Sequence, residues 1–166
     1  MLTESENAFI TQTGPSTPMG EVMRRFWHPF LLSEELEERD GTPVRVKLLS
    51  EELIAFRDTN GSVGLLQERC PHRGASMFFG INQECGLLCT YHGWKFDVNG
   101  VCVDMASDLP GSNTKIKVKA KAYPTYESAG VLWAYMGPPD KQPPPTNFMF
   151  NNVPPENVIA IRIPIY

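Results

Sequence analysis

The sequence predicts an all-β protein built as an antiparallel sandwich. Short segments alternate apolar and polar residues, turn residues separate these segments, and no long stretch has helical periodicity. The alternation is clear in 44–48, where Val44, Val46 and Leu48 are separated by charged residues. Short strands at this spacing are typical of a β-sandwich or a small barrel.

Two hairpins are predicted from their turn residues. The segment 58–62 reads Asp-Thr-Asn-Gly-Ser, a composition typical of turns. Asn99-Gly100 is a strong signal for a two-residue hairpin loop. The strands that these two turns join are predicted at 53–57, 63–68, 94–97 and 101–103.

Three further strands are predicted from alternation or from apolar runs. In 115–121 lysines alternate with Ile116 and Val118, which predicts a strand with the lysines on its solvent face. The apolar run 131–135 predicts another strand. The segment 157–166 alternates again, and we expect it to be the first strand of a further domain.

A short helix is predicted near the N-terminus. Thr17 is a suitable N-cap and Pro18 fits the first helical position. Apolar residues at helical spacing follow from Val22 to Phe30. The helix is therefore predicted to reach Phe30.

The prolines suggest how the chain is divided. Most of the 15 prolines lie in the second half of the sequence, with the highest density between residues 138 and 155. Such density prevents a helix or a central strand and stiffens a linker. We therefore predict an N-terminal segment at 1–30, the main domain at 31–136, and a linker with one strand at 137–166.

Composition excludes several classes of protein. The net charge of −4 and the pI of about 5.4 argue against a nucleic-acid binder, which would be basic. No apolar run approaches the ~20 residues of a membrane span, and no secretory signal is recognised at the N-terminus. A cytoplasmic protein is expected, in which the four cysteines stay reduced.

Four residues in two short segments form a candidate metal site. Cys70-Pro71-His72 and Cys89-Thr90-Tyr91-His92 each offer one thiolate and one imidazole, and each is followed within two residues by a glycine, Gly74 or Gly93. A Rieske 2Fe-2S cluster requires two thiolates on one iron and two imidazoles on the other. The spacing therefore predicts this cluster, with all four residues as its metal ligands and with one-electron transfer as the function.

A structural zinc site is the competing interpretation of the four ligands. Zinc also binds two Cys and two His, but zinc modules usually pair like ligands, as Cys-x2-4-Cys and His-x3-5-His. Here each loop is mixed. Cys85 and Cys102 are interpreted as small reduced hydrophobes and His28 as a packing or capping residue. Arg69, Arg73 and Lys95 are either solvated charges or contacts for an acidic partner.

The flanks of the two loops resemble the ring-hydroxylating aromatic oxygenases, in particular the oxygenase subunits of phthalate-dioxygenase-like enzymes. The resemblance is carried by Gln-Glu-Arg-Cys-Pro-His-Arg-Gly-Ala at 67–75 and Tyr-His-Gly-Trp-Lys-Phe-Asp at 91–97. It extends from Pro-Met-Gly at 18–20 through Trp-His-Pro at 27–29 to Val-Leu-Trp-Ala-Tyr at 131–135. Nearly the whole chain is covered.

The resemblance implies a Rieske domain that receives electrons from a flavin-containing reductase, directly or through a ferredoxin. In the family, a catalytic domain of the same or a neighbouring subunit then uses them at a mononuclear Fe(II), and the subunits form homotrimers. This sequence has three histidines, two of them assigned to the cluster, so it cannot supply that iron's two His and one carboxylate. We expect the catalytic domain to be absent from this sequence. A stand-alone Rieske ferredoxin is the alternative.

Overall fold

The computed structural model describes residues 1–109, 111–112, 114–145 and 153–163. Within these ranges the protein is mostly β, and its strands form three antiparallel sheets of three, three and four strands. The strands are β1 Trp27–Leu32, β2 Val44–Leu48, β3 Glu51–Arg57, β4 Val63–Gln67, β5 Ile81–Gln83, β6 Gly86–Leu88, β7 Trp94–Phe96, β8 Cys102–Met105, β9 Thr125–Ser128 and β10 Val131–Tyr135. The all-β prediction is confirmed.

The sheets have the strand orders β1-β10-β9, β2-β3-β4 and β5-β6-β7-β8. Both predicted hairpins form, since β3 pairs antiparallel with β4 and β7 with β8. The helical elements are short. They are α1 Glu4–Thr11, α2 Pro18–Met23, α3 Thr114–Lys117 and the 3-10 turns Ser33–Leu36, Met77–Phe79, Pro139–Lys141 and Pro155–Asn157.

The sheet β2-β3-β4 is the middle layer of the molecule, because both of its faces are buried. On β3, Leu53 and Ala55 pack in a core with β1 and β10, whereas Ile54 and Phe56 pack in a second core with β6 and β7. All four side chains are at most 1% exposed. The second core also contains Cys70 and Cys89, which belong to the loops that follow β4 and β6. The middle sheet therefore packs against the two loops that carry the predicted ligands.

The predicted N-terminal helix is correct at its start and wrong at its end. Thr17 caps α2, with its hydroxyl accepting from the Gly20 amide at 3.2 Å. The helix ends at Met23, however, and Trp27 begins β1, which pairs with β10. The helical spacing did not mark a buried face, since Phe26 is 58% exposed. Pairing with a strand about 100 residues away decided the conformation. The predicted boundary between residues 30 and 31 falls inside β1.

The N-terminal helix α1 was not predicted, although the sequence contains a signal for it. Thr3 and Glu6 form a capping box, in which each side chain accepts from the other residue's backbone amide. The spacing S/T-x-x-E is the usual sequence signature of such a box.

The strand predicted at 115–121 is wrong. Residues 114–117 form the single helical turn α3, and Ile116 is 71% exposed. Beyond the turn, Lys119 forms an isolated antiparallel bridge with Val101. Alternation of lysines and apolar residues therefore did not mark a sheet here, because the apolar side chain of Ile116 has no core to face.

The segment 157–166, predicted as the first strand of a further domain, forms no strand over its described part in this chain. Residues 158–163 are neither strand nor helix, and Ile159, Ile161 and Ile163 are 74–85% exposed. A strand requires backbone partners, and none of the described residues pairs with this segment as a strand. Residues 164–166 lie outside the described residues. No helix in the described ranges has the length and apolarity needed to cross a membrane.

Candidate metal centre

The first candidate loop, 70–74, is the tip of a short hairpin that follows β4. The Cys70 amide donates to the Ala75 carbonyl at 2.8 Å, and the Gly74 amide donates to the Cys70 carbonyl at 2.9 Å. Gly74 has φ +70°, in the left-handed region that glycine enters without steric cost. These features close the loop tightly around its two candidate ligands.

The second candidate loop, 89–93, repeats this arrangement at the tip of the β6–β7 hairpin. The Cys89 amide donates to the Trp94 carbonyl at 2.8 Å, and the Gly93 amide donates to the Cys89 carbonyl at 2.9 Å. Gly93 has φ +71°. The loops differ in the position of the histidine, which comes two residues after the cysteine in the first loop and three residues after it in the second.

The two cysteines lie together beneath the loops. Cys70 and Cys89 are each 3% exposed and belong to the same apolar core. Burial raises the pKa of the Cys70 thiol to about 11, while backbone amides of His72 and Arg73 that face the sulfur act to lower it. The side chain of Cys89 raises it further. The thiols therefore interact directly, and amide groups of the loop are directed at one of them.

The two histidines also lie together, and each belongs to the same loop as one of the cysteines. The ring centroids of His72 and His92 are 4.5 Å apart, with the planes inclined by 67°. Each ring also contacts a further aromatic ring. Trp94 stacks on His72 at 4.3 Å and 9°, and Tyr91 lies against His92 at 3.9 Å and 43°.

One histidine nitrogen is free to act as a ligand. The Nδ1 atom of His72 is buried and has no hydrogen-bond partner within the described ranges. Burial lowers the pKa of His72, and the positive charges of His92 and Arg73 lower it further. A neutral imidazole with an unpartnered buried nitrogen is the form in which histidine binds a metal.

The four candidate ligands are grouped by type, as a pair of thiols and a pair of imidazoles. In the described part of the chain, no group of three or more His, Cys, Asp and Glu side chains is arranged to hold a single metal ion. A Rieske 2Fe-2S cluster takes its ligands in two such pairs, one pair on each iron. The donor set, its pairing and the unpartnered His72 nitrogen all fit this cofactor.

A buried carboxylate supports the first loop from the side, which the sequence did not reveal. Glu68 accepts from Arg45 Nε at 3.0 Å and from the Ser76 hydroxyl at 2.5 Å. The Ser76 bond is the main cause that lowers the pKa of Glu68, and Arg45 contributes to it despite the opposing effect of burial. Arg45 comes from β2, so neighbours in sequence carry no signal of this contact.

The remaining cysteines and the third histidine lie outside the two candidate loops. The Cys102 thiol is buried and donates to the Asp104 carbonyl at 3.3 Å, and Cys85 is half-buried in the β5–β6 turn. His28 Nε2 donates to the Met23 carbonyl at 2.7 Å, which caps the end of α2.

The three basic residues near the loops differ in exposure. Arg69 and Arg73 are exposed. Lys95, in contrast, is 8% exposed and its Nζ is 2.9 Å from a carboxylate oxygen of Glu84. The interpretation of Lys95 as a solvated charge or partner contact is therefore wrong, because its side chain is buried and ion-paired.

The chain was compared with protein families and curated proteins. The family model of the Rieske [2Fe-2S] domain matches residues 26–123. The chain is 51% identical over 143 residues to the phthalate 4,5-dioxygenase oxygenase subunit of Pseudomonas putida, covering 86% of this chain and 33% of that protein. It is 50% identical over 137 residues to the 3-chlorobenzoate-3,4-dioxygenase oxygenase subunit of Comamonas testosteroni, covering 82% and 32%. It thus spans about a third of the length of these relatives.

Solved structures show the same fold. Dicamba monooxygenase superposes with a TM-score of 0.64 and 30% identity over 73% of this chain and 36% of that chain. The oxygenase in a complex of carbazole 1,9a-dioxygenase with ferredoxin gives a TM-score of 0.62 and 32% identity over 73% of this chain and 31% of that chain. The resemblance to oxygenase subunits that the sequence indicated is therefore confirmed.

Proposed function

Because this chain belongs to the Rieske [2Fe-2S] domain family, we propose that Cys70, His72, Cys89 and His92 hold a 2Fe-2S cluster and that the chain transfers single electrons. The observation that carries the proposal is the pairing of the two thiols in the core and of the two imidazoles against each other. In this proposal Cys70 and Cys89 bind one iron, and His72 and His92 bind the other.

The residues around the ligands prepare them for this role. Low exposure keeps water from both sulfurs, and the His72 and Arg73 amides that face Cys70 Sγ can stabilise negative charge on it. When bound, the cluster would accept and release one electron at a time, with a potential between about −150 and +300 mV. The histidines are partly exposed, whereas the thiols are not, so electrons would enter and leave on the histidine side.

The relatives favour a more specific role, as the electron-receiving domain of an aromatic ring-hydroxylating oxygenase. Two of them are named as oxygenase subunits of enzymes acting on phthalate and on 3-chlorobenzoate. In this role a flavin-containing reductase or a ferredoxin donates the electron. The acceptor is a mononuclear Fe(II) in the catalytic domain of the same or a neighbouring subunit. The full-length protein would be a cytoplasmic homotrimer, with residues 31–136 as the core of the Rieske domain.

The histidine count supports an acceptor iron held by other residues. Two of the three histidines are assigned to the cluster, and His28 uses its Nε2 to cap α2. A mononuclear iron of the two-His, one-carboxylate type needs two histidines. We therefore place the oxygen chemistry outside this sequence.

The cluster assignment is tested by purifying the chain without oxygen and measuring iron, acid-labile sulfide, visible absorption and EPR after reduction by dithionite. We expect about two irons per chain and a Rieske-type EPR signal after reduction. Cys70→Ser should abolish the signal, and Cys85→Ser, which removes a cysteine outside the site, should leave it unchanged. A colourless protein that contains zinc would refute the proposal and establish the structural zinc module instead.

The oxygenase role and the stand-alone carrier are separated by a single-turnover experiment. The pre-reduced chain is mixed with phthalate, dioxygen and a phthalate dioxygenase oxygenase subunit in which a cluster cysteine has been replaced by serine. The chain is present in at least twofold excess, because dioxygen and two electrons are consumed in each hydroxylation and each reduced cluster supplies one electron. Rapid, saturable oxidation of the chain with formation of hydroxylated phthalate would support the oxygenase role. If the chain instead reduces only an oxygenase that retains its own cluster, the chain is a ferredoxin-like carrier.

A further inference from the structure

Trp94 contacts both candidate loops. It is the first residue of β7, directly after the second loop, and its carbonyl accepts the Cys89 amide at 2.8 Å. Its indole lies on the imidazole of His72, which belongs to the first loop. One residue thus connects the two loops, through its backbone to one and through its ring to the other.

The stacking geometry restricts the orientation of the imidazole. The ring centroids are 4.3 Å apart and the planes differ by 9°, so the indole covers one face of His72 completely enough to oppose tilting of the ring. The His92 ring lies 4.5 Å away on a different plane, inclined by 67°. His72 therefore contacts two rings, and the Trp94 ring is the parallel one.

The polar edge of the indole is also part of this site. The Nε1 atom of Trp94 is buried and has no partner in the ranges that the structure describes, as is true of His72 Nδ1. A buried indole N–H without a partner is unfavourable in a core that serves packing alone. Two unpartnered polar atoms on two stacked rings indicate that both rings are arranged around a group that the residues of the loops hold.

The aromatic ring that contacts the second histidine, His92, restricts its orientation less. Tyr91 lies against His92 at 3.9 Å, but its ring is tilted by 43° and the residue is 60% exposed. The outer side of Tyr91 therefore faces solvent, and none of the described residues packs against it to restrict its tilt. The structure therefore distinguishes the two histidines, because the ring stacked on His72 is half-buried and parallel whereas the ring against His92 is exposed and tilted.

We propose that Trp94 is a positioning residue for His72, whose stacked indole fixes the imidazole plane in which Nδ1 binds iron. This inference rests on the cluster assignment proposed above. Trp94 does not bind iron in this proposal; it acts through His72. The aromatic face is the required feature, so a phenylalanine at the same position should largely preserve the effect.

The test uses Trp94→Leu, which removes the aromatic face, and Trp94→Phe, which retains it. Trp133→Leu is the matched control, since Trp133 stacks on Tyr126 in the sheet β1-β10-β9. Tyr91→Leu probes the second histidine. The measurements are the rate of iron loss to a chelator in excess, the midpoint potential, and the unfolding temperature of the metal-free protein.

We expect iron loss from Trp94→Leu to be about 10-fold faster or more, the range found when outer partners of metal ligands are removed. Its midpoint potential should shift, whereas Trp94→Phe should retain near wild-type values of both. Trp133→Leu should lower the unfolding temperature without changing either value, and Tyr91→Leu should have the smaller effect of the two site variants.

Two outcomes overturn the inference in different ways. If the wild type holds iron and Trp94→Leu matches it in iron retention and potential, Trp94 does not position His72 although the cluster assignment stands. If the wild type never takes up iron and sulfide, the cluster assignment fails and the role of Trp94 fails with it. If Trp94→Phe loses iron as fast as Trp94→Leu, the aromatic face is not the required feature and the proposal is refuted in that form.

Discussion

Replacing Glu51 by glutamine should destabilise the fold substantially, because this carboxylate joins three segments of the chain. Arg24 Nη2 lies 2.8 Å from Oε1, and Lys121 Nζ and the Tyr123 hydroxyl lie 2.6 and 2.7 Å from Oε2. The side chains of Arg24 and Glu51 are 7% and 12% exposed. Glutamine keeps the shape of the side chain but removes the charge that faces the buried guanidinium.

The magnitude follows from what remains after the change. Removing one partner of a buried ion pair costs about 3–5 kcal/mol. Arg24 keeps hydrogen bonds to the carbonyls of Thr13 and Leu49, at 2.7 and 3.0 Å, which reduces the loss. Lys121 is 49% exposed, so its share is small. We therefore expect Glu51→Gln to lower the free energy of unfolding by about 2–3 kcal/mol at pH 7.

The effect should depend on pH in a defined direction. Burial acts to raise the pKa of Glu51, but the hydrogen bonds from Arg24, Lys121 and Tyr123 outweigh it, and the pKa lies below its usual value of 4.5. A carboxyl group with a lowered pKa stabilises the fold above its unfolded pKa and loses this contribution as the pH falls through its folded pKa. The difference between wild type and Glu51→Gln should therefore be complete above about pH 5 and shrink below pH 4.5.

The assay is urea unfolding of the metal-free chain, followed by far-UV circular dichroism between pH 3 and pH 8. Glu52→Gln is the matched control, because Glu52 is the exposed neighbour on the same strand. A loss within about 0.5 kcal/mol of that control, the usual size of a surface effect, would refute the reasoning. A difference that stays constant down to pH 3 would show that the charge of Glu51 is not its source.

Three further predictions concern the core, a turn and the thiols. Met77→Ala and Leu65→Ala, both fully buried, should each cost about 2–5 kcal/mol in urea unfolding. Only Met77→Ala should also speed iron loss to a chelator, because Met77 shares its core with the candidate thiols and Leu65 lies in the other core. Gly74→Ala should lower the free energy of unfolding by about 1–2 kcal/mol through backbone strain alone, since φ is +70° and an added Cβ would meet no atom within 4 Å. Gly74→Asn should recover part of this loss. An alanine variant as stable as wild type would contradict the prediction. Because burial raises the pKa of the Cys70 thiol to about 11, iron binding at pH 7 should release the thiol proton, which a pH indicator would detect. For the same reason iron should bind more tightly as the pH rises, which a binding titration would measure. Iron affinity that is independent of pH between 6 and 9 would count against this prediction.

The candidate site was predictable because the ligands and turn residues of each loop lie within a few residues of one another. A thiolate and an imidazole within three or four residues, followed by a glycine, define each loop without reference to the rest of the fold. The structure then shows Gly74 and Gly93 at positive φ, which is the local requirement that favoured glycine. The turn at Asn99-Gly100 was predictable for the same reason, since Gly100 has φ +77°.

The errors occurred where a short pattern was ambiguous and a distant partner decided. Val22, Phe26 and Phe30 lie at a spacing that suits a helix, yet the chain forms β1 from Trp27 because β10 supplies its backbone partners. Residues 115–117 alternate like a strand but form a helical turn, since Ile116 has no apolar layer to face. In both segments the local preference was small compared with the hydrogen bonds and burial that the whole fold provides.

The sequence by itself determined the donor set, the two tight loops and the antiparallel all-β class, because ligand type, turn residues and side-chain alternation act over a few residues. The tertiary structure alone decided which groups surround that donor set. Trp94 meets His72 only after the hairpins that carry them have packed together, and Arg45 meets Glu68 only after β2 and β4 have taken their places in the middle sheet. Glu51 accepts hydrogen bonds from Arg24 and Lys121, which lie 27 and 70 residues away in the sequence. Such contacts depend on how the layers pack. A sequence pattern with a period of two or of 3.6 residues shows only which residues share a face of one strand or helix, so it does not predict this packing.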